Sequence, residues 1–426
     1  MNYQYHKLSN GLRIVALPML ERNSAAVAIW VRAGARFEPE KISGISHYLE
    51  HMVFKGTKTR SARQIKQEIE GVGGLLNAFT GEEATCYFAK LLHQHYPQAL
   101  DVLADMVNDA LIDVDELNKE RTVILEEIKM YKDQPSQYVH EIMGELLWPD
   151  QPLGRPIAGS AETVTVMSRN SMKAYRDQYY HPKNILVTVS GPVLLRDVQP
   201  IVEKCFERVS LHPASQYEKS VSRQTKPRTL FLEKQTEQTH FVIGLHTFSR
   251  YDQNRYKLIL LNVILGANMS SRLFEEVREK RGLAYEIRSG LSFFEDTGAM
   301  VISAGVETCK TPKAITVILQ ELSKMNKKGI HEDELKRAKE YFMSQFYMTL
   351  EDTLDHNLWV GERMMYSDKM PDAEEIRQGI EMVTTGQIRE LAREIFKTSN
   401  INLSLIGPVG TKIQSSIKND FEVDKM

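Results

Sequence analysis

The amino-acid sequence repeats itself once, with a period of about 216 residues. Residues 184–193, Asn-Ile-Leu-Val-Thr-Val-Ser-Gly-Pro-Val, return as residues 400–409, Asn-Ile-Asn-Leu-Ser-Leu-Ile-Gly-Pro-Val, at a shift of 216 (400 minus 184). The triplet Asp-Glu-Leu at 115–117 returns at 333–335, at a shift of 218 (333 minus 115). This period is far too long for a solenoid, whose units are short and stacked. The repeat therefore predicts two copies of one domain in a single chain.

Each copy mixes strand and helix patterns. Short apolar runs at 12–17, 25–31 and 185–191 predict strands, and longer periodic segments such as 44–54 and 115–132 predict helices. We expect an α+β fold of two homologous domains, each a mostly antiparallel sheet packed with helices. A polar stretch rich in Ser, Gln and Lys separates the copies. The predicted domain bounds are 1–211, a linker at 212–227, and 228–426.

Composition narrows the class of protein. Lys and Arg number 54 against 56 Asp and Glu, so the net charge of −2 gives no basic excess that would favour nucleic acid. The three cysteines lie far apart and form no Cys-x-x-Cys pair, which suits a reducing compartment. No signal-peptide core is visible, and no stretch approaches 18 apolar residues. We expect a cytoplasmic protein with no membrane or nucleic-acid partner.

The chemistry of the first copy is concentrated in residues 47–51, His-Tyr-Leu-Glu-His. An α-helix repeats every 3.6 residues, so His47 and His51 lie one turn apart on one face, which Glu50 shares. H-x-x-E-H is the inverted form of the zinc-protease motif. Apolar residues recur every fourth position around it, and this periodicity predicts a helix with a buried side. The alternative, two solvated histidines on a polar helix surface, does not explain that buried side.

A third metal ligand is expected from another segment, because catalytic zinc usually takes three protein ligands and leaves one position for water. The helix at 115–132 carries Glu120 and Glu127, seven residues apart on one face. Their counterparts at the 218-residue shift are Ala338 and Gln345, so the second copy lacks both carboxylates as well as the histidine pair. Joint loss is expected if the groups serve one site. We predict Glu127 as the third ligand; a solvated acidic helix face is the alternative.

These motifs carry a resemblance to a known family. Residues 44–57 closely resemble the active-site helix of the pitrilysin/insulinase family of zinc peptidases. The 76 residues from His51 to Glu127 (127 minus 51) and the sequence at 120–128 resemble the mitochondrial processing peptidase branch, of the bacterial processing-protease type. The likeness covers essentially the whole chain, including residues 271–285 of the second half, and no catalytic position departs from the pattern.

The resemblance implies roles for the residues of the first copy. His47, His51 and Glu127 match the family's zinc ligands, which bind one Zn²⁺ per chain. Glu50 matches the general base. Glu120 matches a carboxylate that orients the site from outside the ligand set.

The resemblance also implies substrate contacts. Arg278 and Tyr285 match a pair that closes over the scissile peptide from the second domain, although a surface ion pair and a packed strand aromatic remain alternatives. Asn77, Ala78 and Phe79 resemble the edge strand to which the substrate adds, with an ordinary junction between a turn and a strand as the alternative.

Together these features predict a zinc-dependent endopeptidase that cleaves extended peptides or unfolded protein segments. Family members of this length pair with a second chain, so the resemblance implies a dimer, either of two copies of this chain or with a non-catalytic partner chain. We expect a homodimer, because this chain carries both the metal motif and the Arg278–Tyr285 segment. The alternatives are a non-catalytic peptide-binding or scaffold subunit of the same fold, a zinc hydrolase of non-peptide substrates, and a peptide-binding chaperone. The sequence leaves the physiological substrate and the cleavage specificity open.

Overall fold

The computed structural model describes residues 2–207, 213, 216–222 and 224–422. Its chain divides into two compact units. The first unit comprises residues 1–128, 155–218 and 346–372. The second unit comprises residues 129–154, 219–345 and 373–426.

The first unit is built on a six-stranded sheet with the strand order β1-β2-β6-β3-β5-β4. All neighbouring strands are antiparallel except β2 and β6. Its strands are β1 (Gln4–Lys7), β2 (Arg13–Pro18), β3 (Ser24–Val31), β4 (Leu75–Thr80), β5 (Thr85–Leu92) and β6 (Ile185–Gly191). Strand β4 is therefore an edge strand, paired on one side with β5 alone.

The second unit is built on a five-stranded sheet with the strand order β7-β11-β8-β10-β9. Its strands are β7 (Arg228–Glu233), β8 (Thr239–Thr247), β9 (Ala284–Phe293), β10 (Gly298–Val306) and β11 (Asn402–Gly407). Only β7 and β11 are parallel. Without β1, the first sheet has the same order and the same single parallel pair. The predicted duplicated α+β fold with mostly antiparallel sheets is confirmed.

Fifteen α-helices occur in the described ranges. In chain order they are α1 (Ile45–Val53), α2 (Ala62–Glu70), α3 (Tyr96–Asp109), α4 (Val114–Lys132), α5 (Pro135–Leu147), α6 (Ala161–Val166), α7 (Arg169–Tyr179), α8 (Leu195–Cys205), α9 (Arg255–Leu265), α10 (Thr311–Lys328), α11 (Glu332–Glu351), α12 (Thr353–Met364), α13 (Ala373–Glu381), α14 (Thr385–Ile395) and α15 (Thr411–Glu422). None of these helices is long and apolar enough to cross a membrane.

Each unit completes its sheet with one helix from the other half of the sequence. In the first unit, Val360 and Met364 of α12 are fully buried in a cluster with Trp30 of β3. In the second unit, Val139 and Ile142 of α5 are buried against β8 and β11. Both helices thus remove apolar surface from water on the sheet face opposite the main core.

This exchange means that the compact units differ from the predicted bounds of 1–211 and 228–426, which follow the order of the sequence. Neither α5 nor α12 carries a sequence signal for the sheet on which it packs. The predicted boundary between residues 211 and 212 lies outside the described residues. So do linker residues 212, 214 and 215.

A buried polar side chain fixes α12 on the first sheet. Asn357 is fully buried; its amide nitrogen donates to the Ala26 carbonyl (3.0 Å), and its side-chain oxygen accepts from the Thr188 hydroxyl (2.6 Å). Removing the amide takes the acceptor away from the buried Thr188 hydroxyl and one donor away from the Ala26 carbonyl, and a buried polar group left without a partner costs about 1–3 kcal/mol.

We therefore expect Asn357→Ala to lower the free energy of unfolding by about 2 kcal/mol or more. Urea denaturation followed by circular dichroism measures this change. Glu362→Ala, on an exposed position of the same helix, should change it by less than about 0.5 kcal/mol. Equal effects of the two substitutions would contradict the anchoring role of Asn357.

Candidate metal centre

Helix α1 is buried on almost every side. Six of its nine residues are buried, and the three that remain half-buried are His47, Glu50 and His51. The helix begins after Gly44, whose φ of 93° lies in the left-handed region that suits glycine. The packing of the apolar side therefore turns the three polar side chains toward one half-open surface.

Helix α4 places Glu127 beside the two imidazoles. The Oε2 atom of Glu127 lies 3.7 Å from Nε2 of His47 and 3.7 Å from Nε2 of His51. The two imidazole rings are 4.7 Å apart between centroids. One ligand atom from each residue lies within 4.8 Å of the others, and no second such group of three occurs in the described ranges.

These distances fit a metal ion better than direct hydrogen bonds. A separation of 3.7 Å exceeds the length of an N–H···O hydrogen bond. Two ligands at about 2.1 Å from a tetrahedral zinc lie about 3.4 Å apart, which is close to the observed spacing. Two imidazoles and one carboxylate also form a known ligand set of catalytic zinc sites. His47, His51 and Glu127 can therefore hold a zinc ion with little movement.

The protonation state of His47 suits a ligand. Burial, with a smaller contribution from His51, lowers the pKa of His47 to about 4. The ring is therefore neutral near pH 7, as metal binding requires. Its Nδ1 atom is buried without a hydrogen-bond partner among the described residues.

Glu120 contacts the His51 imidazole at Nδ1, the ring nitrogen that faces away from Glu127. Its Oε2 atom lies 3.0 Å from Nδ1 of His51, and its Oε1 atom lies 2.5 Å from Nζ of Lys55. Burial opposes the charged form, but the hydrogen bonds from Lys55 and His51 outweigh it and lower the pKa of Glu120. A carboxylate on Nδ1 fixes the ring orientation and leaves Nε2 free for a metal. Lys55 was not among the sequence-predicted site residues.

Glu50 lies on α1 beside the three candidate ligands. The Thr80 hydroxyl at the end of β4 donates to its Oε2 atom at 2.5 Å. Burial raises the pKa of Glu50, Glu127 raises it further, and the Thr80 hydrogen bond and His51 oppose the rise. Sequence reasoning missed Thr80, although its alternation with Ala78 along the predicted strand placed both on one face.

The predicted substrate strand is the edge strand β4. Along it, exposed Leu75, Asn77 and Phe79 alternate with half-buried residues that face the core. The Asn77 side-chain oxygen accepts from the Ala78 backbone N–H at 2.9 Å. Phe79 is 41 % exposed and meets the edge of Trp30 at 5.7 Å between ring centroids. An edge strand offers unpaired backbone groups to a further strand.

Arg278 and Tyr285 lie in the second unit and contact each other. The guanidinium carbon of Arg278 is 4.9 Å from the Tyr285 ring centroid and 4.6 Å from that of Phe274. Arg278 also lies 3.6 Å from Glu279 in a half-exposed ion pair. Tyr285 is 79 % exposed, so it is not a packed strand aromatic. Their role toward a peptide stays a prediction.

Comparisons with known proteins agree with this geometry. Residues 14–161 match the model described as insulinase (peptidase family M16), and residues 167–342 match the model described as peptidase M16 inactive domain. A protein named uncharacterized zinc protease YmxG, of Bacillus subtilis, is 37 % identical over 409 residues, covering 94 % of this chain and 97 % of that protein. The chain belongs to peptidase family M16.

One further relative of this M16 chain and one solved structure extend the comparison. An uncharacterized zinc protease of Streptomyces coelicolor is 35 % identical and covers 96 % of this chain and 90 % of its own length. The crystal structure of a protease from Helicobacter pylori has a TM-score of 0.90 at 24 % identity, covering 96 % of this chain and all of that one. The structural match supports the two-domain fold, and the sequence matches support a zinc metallopeptidase.

We predict that Glu127→Gln weakens zinc binding by more than about 100-fold. Mutation of a residue that only hydrogen-bonds to a metal ligand already lowers metal affinity about 10- to 100-fold, and Glu127 would bind the metal directly. Competition with a fluorescent chelator measures the dissociation constant. Glu126→Gln is the matched control, because Glu126 is the neighbouring exposed carboxylate. Unchanged zinc affinity in Glu127→Gln would remove Glu127 from the ligand set.

Proposed function

We propose that this chain is a zinc metalloendopeptidase that cleaves extended peptides or unfolded protein segments, with Glu50 as the general base. The proposal depends on one observation above all: the His47, His51 and Glu127 side chains converge within 4.8 Å, and Glu50 lies on α1 between the two histidines. A non-catalytic scaffold or binding subunit would need neither the complete ligand set nor a carboxyl beside it.

Zinc held by His47, His51 and Glu127 would polarise the scissile carbonyl and acidify a water molecule. Glu50 removes a proton from the attacking water and later delivers it to the leaving amine. Burial raises the pKa of Glu50 toward neutral pH, and a general base exchanges protons best when its pKa lies near the operating pH. Thr80 engages one carboxylate oxygen and leaves the other to exchange the proton.

Three polar contacts keep the reacting groups in place. Glu120 orients the His51 ring through Nδ1, and Lys55 keeps Glu120 charged. Thr80 limits the rotation of the Glu50 carboxyl. Groups positioned in advance need little reorganisation when the reaction begins.

The edge strand β4 is the proposed substrate-binding strand. A peptide in an extended conformation would pair its backbone with residues 77–79, which gives affinity independent of side-chain identity. Asn77 and Phe79 are exposed along this strand, next to Thr80 and hence to Glu50. This arrangement suits unfolded segments, because most backbone N–H and C=O groups of a folded protein are already hydrogen-bonded within its own structure.

Arg278 and Tyr285 are proposed to donate hydrogen bonds to the developing oxyanion of the scissile peptide. Both side chains are at least partly exposed and close together, and both can donate. The homodimer and the cytoplasmic location also remain predictions. Light scattering that gives only the 48.8 kDa monomer mass would contradict the homodimer.

We expect Glu50→Gln to reduce peptide cleavage by about 10²- to 10⁴-fold, because general acid–base catalysis typically contributes that much. The zinc content should stay at one ion per chain. A quenched-fluorescence peptide assay, combined with metal analysis of the same sample, measures both quantities. Glu126→Gln provides the control for a neutral substitution nearby. Wild-type turnover in Glu50→Gln would exclude Glu50 as the base.

A further inference from the structure

A short segment between β3 and α1 contains two buried charged residues that the proposed mechanism does not use. Residues 34–38, Gly-Ala-Arg-Phe-Glu, form a single 3₁₀ turn at Ala35–Phe37 with one residue on either side. Arg36 is 1 % exposed and Glu38 is 3 % exposed. Burial of a charge is costly unless specific partners compensate for it. The partners of these two residues therefore indicate what the segment does.

Glu38 caps the metal-binding helix. Its Oε2 atom accepts from the backbone N–H of Gly44 at 2.6 Å, and its Oε1 atom accepts from that of Ser46 at 2.8 Å. The first N–H groups of a helix have no partner within the helix, and Gly44 has no side chain to supply one. Glu38 thus satisfies the start of α1 from six residues upstream, immediately before the ligand His47. Burial raises the pKa of Glu38 to about 7, although both N–H groups lower it.

Arg36 holds the turn between β4 and β5. Its guanidinium forms a fully buried ion pair with Glu83 at 2.6 Å. The segment also donates two backbone hydrogen bonds to this turn, from Ala35 N–H to the Gly81 carbonyl (3.2 Å) and from Arg36 N–H to the Glu82 carbonyl (2.8 Å).

The approach of the two backbones is close enough to require glycine at position 34. A Cβ atom on Gly34 would lie 2.3 Å from the Gly81 carbonyl oxygen. This is well inside van der Waals contact, so no larger residue fits without a backbone shift. The contact between the segment and the β4–β5 turn is therefore a built feature of the first unit.

We propose that residues 34–38 act as a positioning segment that sets α1 against β4. Glu38 fixes the helix carrying His47 and Glu50, and Arg36 fixes the hairpin carrying Thr80 and the edge strand. Both anchors lie within three residues of each other, so the distance from Glu50 to the edge strand is set by one rigid turn. The catalytic consequence of this placement rests on the proposed function, but the placement itself does not. Arg36 and Glu38 are positioning residues and touch no substrate.

Arg36 has further contacts that can be removed without disturbing its ion pair with Glu83, and they provide a control for general destabilisation. Arg36 also lies 3.8 Å from the Tyr217 ring centroid and donates to the Glu218 carbonyl at 3.2 Å. These contacts stabilise the end of the first unit without reaching α1 or β4. Tyr217→Leu therefore removes ring contacts of Arg36 and Phe37, but it leaves the two hydrogen bonds of Glu38 to α1 and the Arg36–Glu83 ion pair in place.

The test compares four variants with the wild type at pH 8, above the raised pKa of Glu38. Glu38→Gln removes one of two acceptors from the helix anchor, and Glu83→Gln removes the charge from the hairpin anchor. Tyr217→Leu and Thr384→Ala are the controls. The Thr384 hydroxyl accepts from Gln387 N–H at the start of α14, so Thr384→Ala removes a helix cap in the second unit. Amide hydrogen exchange, zinc affinity, Tm, kcat and KM are measured for each variant.

In Glu38→Gln we expect exchange at residues 44–48 to rise about tenfold and zinc affinity and kcat to fall about tenfold, with KM little changed. In Glu83→Gln we expect faster exchange in the β4–β5 hairpin and a higher KM, with zinc affinity unchanged. Tyr217→Leu should keep wild-type values for all site measurements. Thr384→Ala should lower Tm and leave zinc affinity, kcat and KM unchanged.

Wild-type exchange at residues 44–48 in Glu38→Gln would overturn the proposal. A loss of zinc affinity in Thr384→Ala equal to that in Glu38→Gln at the same Tm would also overturn it, because general destabilisation would then explain both. If the wild type neither binds zinc nor cleaves peptides while Glu38→Gln still loosens α1, the positioning segment stands and the peptidase assignment fails.

Discussion

The site depends on how completely α1 is buried. Ile45, Leu49 and Met52 are inaccessible to solvent, and this packing leaves only His47, Glu50 and His51 partly open. A helix that is packed on its apolar sides cannot rotate freely, so His47, Glu50 and His51 all extend from its one partly open side. The placement of the two candidate histidine ligands is therefore a consequence of core packing.

Two neighbouring elements then add one functional group each. Helix α4 places Glu127 near the Nε2 atoms of both imidazoles and Glu120 against Nδ1 of His51. One face of this helix thus supplies both a candidate ligand and a carboxylate that orients another. Strand β4 contributes Thr80 to Glu50 and an open edge beside it. The same three elements thus supply the candidate ligands, the base and the surface on which an extended peptide can lie.

The sequence predicted the parts of the site that follow from periodicity and from the repeat. The four-residue spacing of His47 and His51 and the loss of Glu127 in the second copy were readable without coordinates, as was the duplicated sheet. Thr80, Lys55 and Glu38 were not, because their contacts join segments whose relative placement only the folded chain determines. The exchange of α5 and α12 was hidden for the same reason: amphipathic helices show an apolar face but not the sheet that will cover it.

The second copy has the same fold but lacks counterparts of the candidate metal ligands. Its sheet has the order of the first without β1, and its first helix, α9, is apolar and contains no histidine. A duplicated scaffold allows one copy to retain catalytic groups while the other is free to contact substrate, as proposed for Arg278 and Tyr285.

The most direct test of this account is anomalous X-ray scattering from crystals grown with zinc, recorded on both sides of the zinc absorption edge. The account predicts one strong peak per chain, between Nε2 of His47, Nε2 of His51 and the Glu127 carboxylate. No peak at that position, or a zinc ion bound elsewhere with these three side chains unliganded, would contradict it.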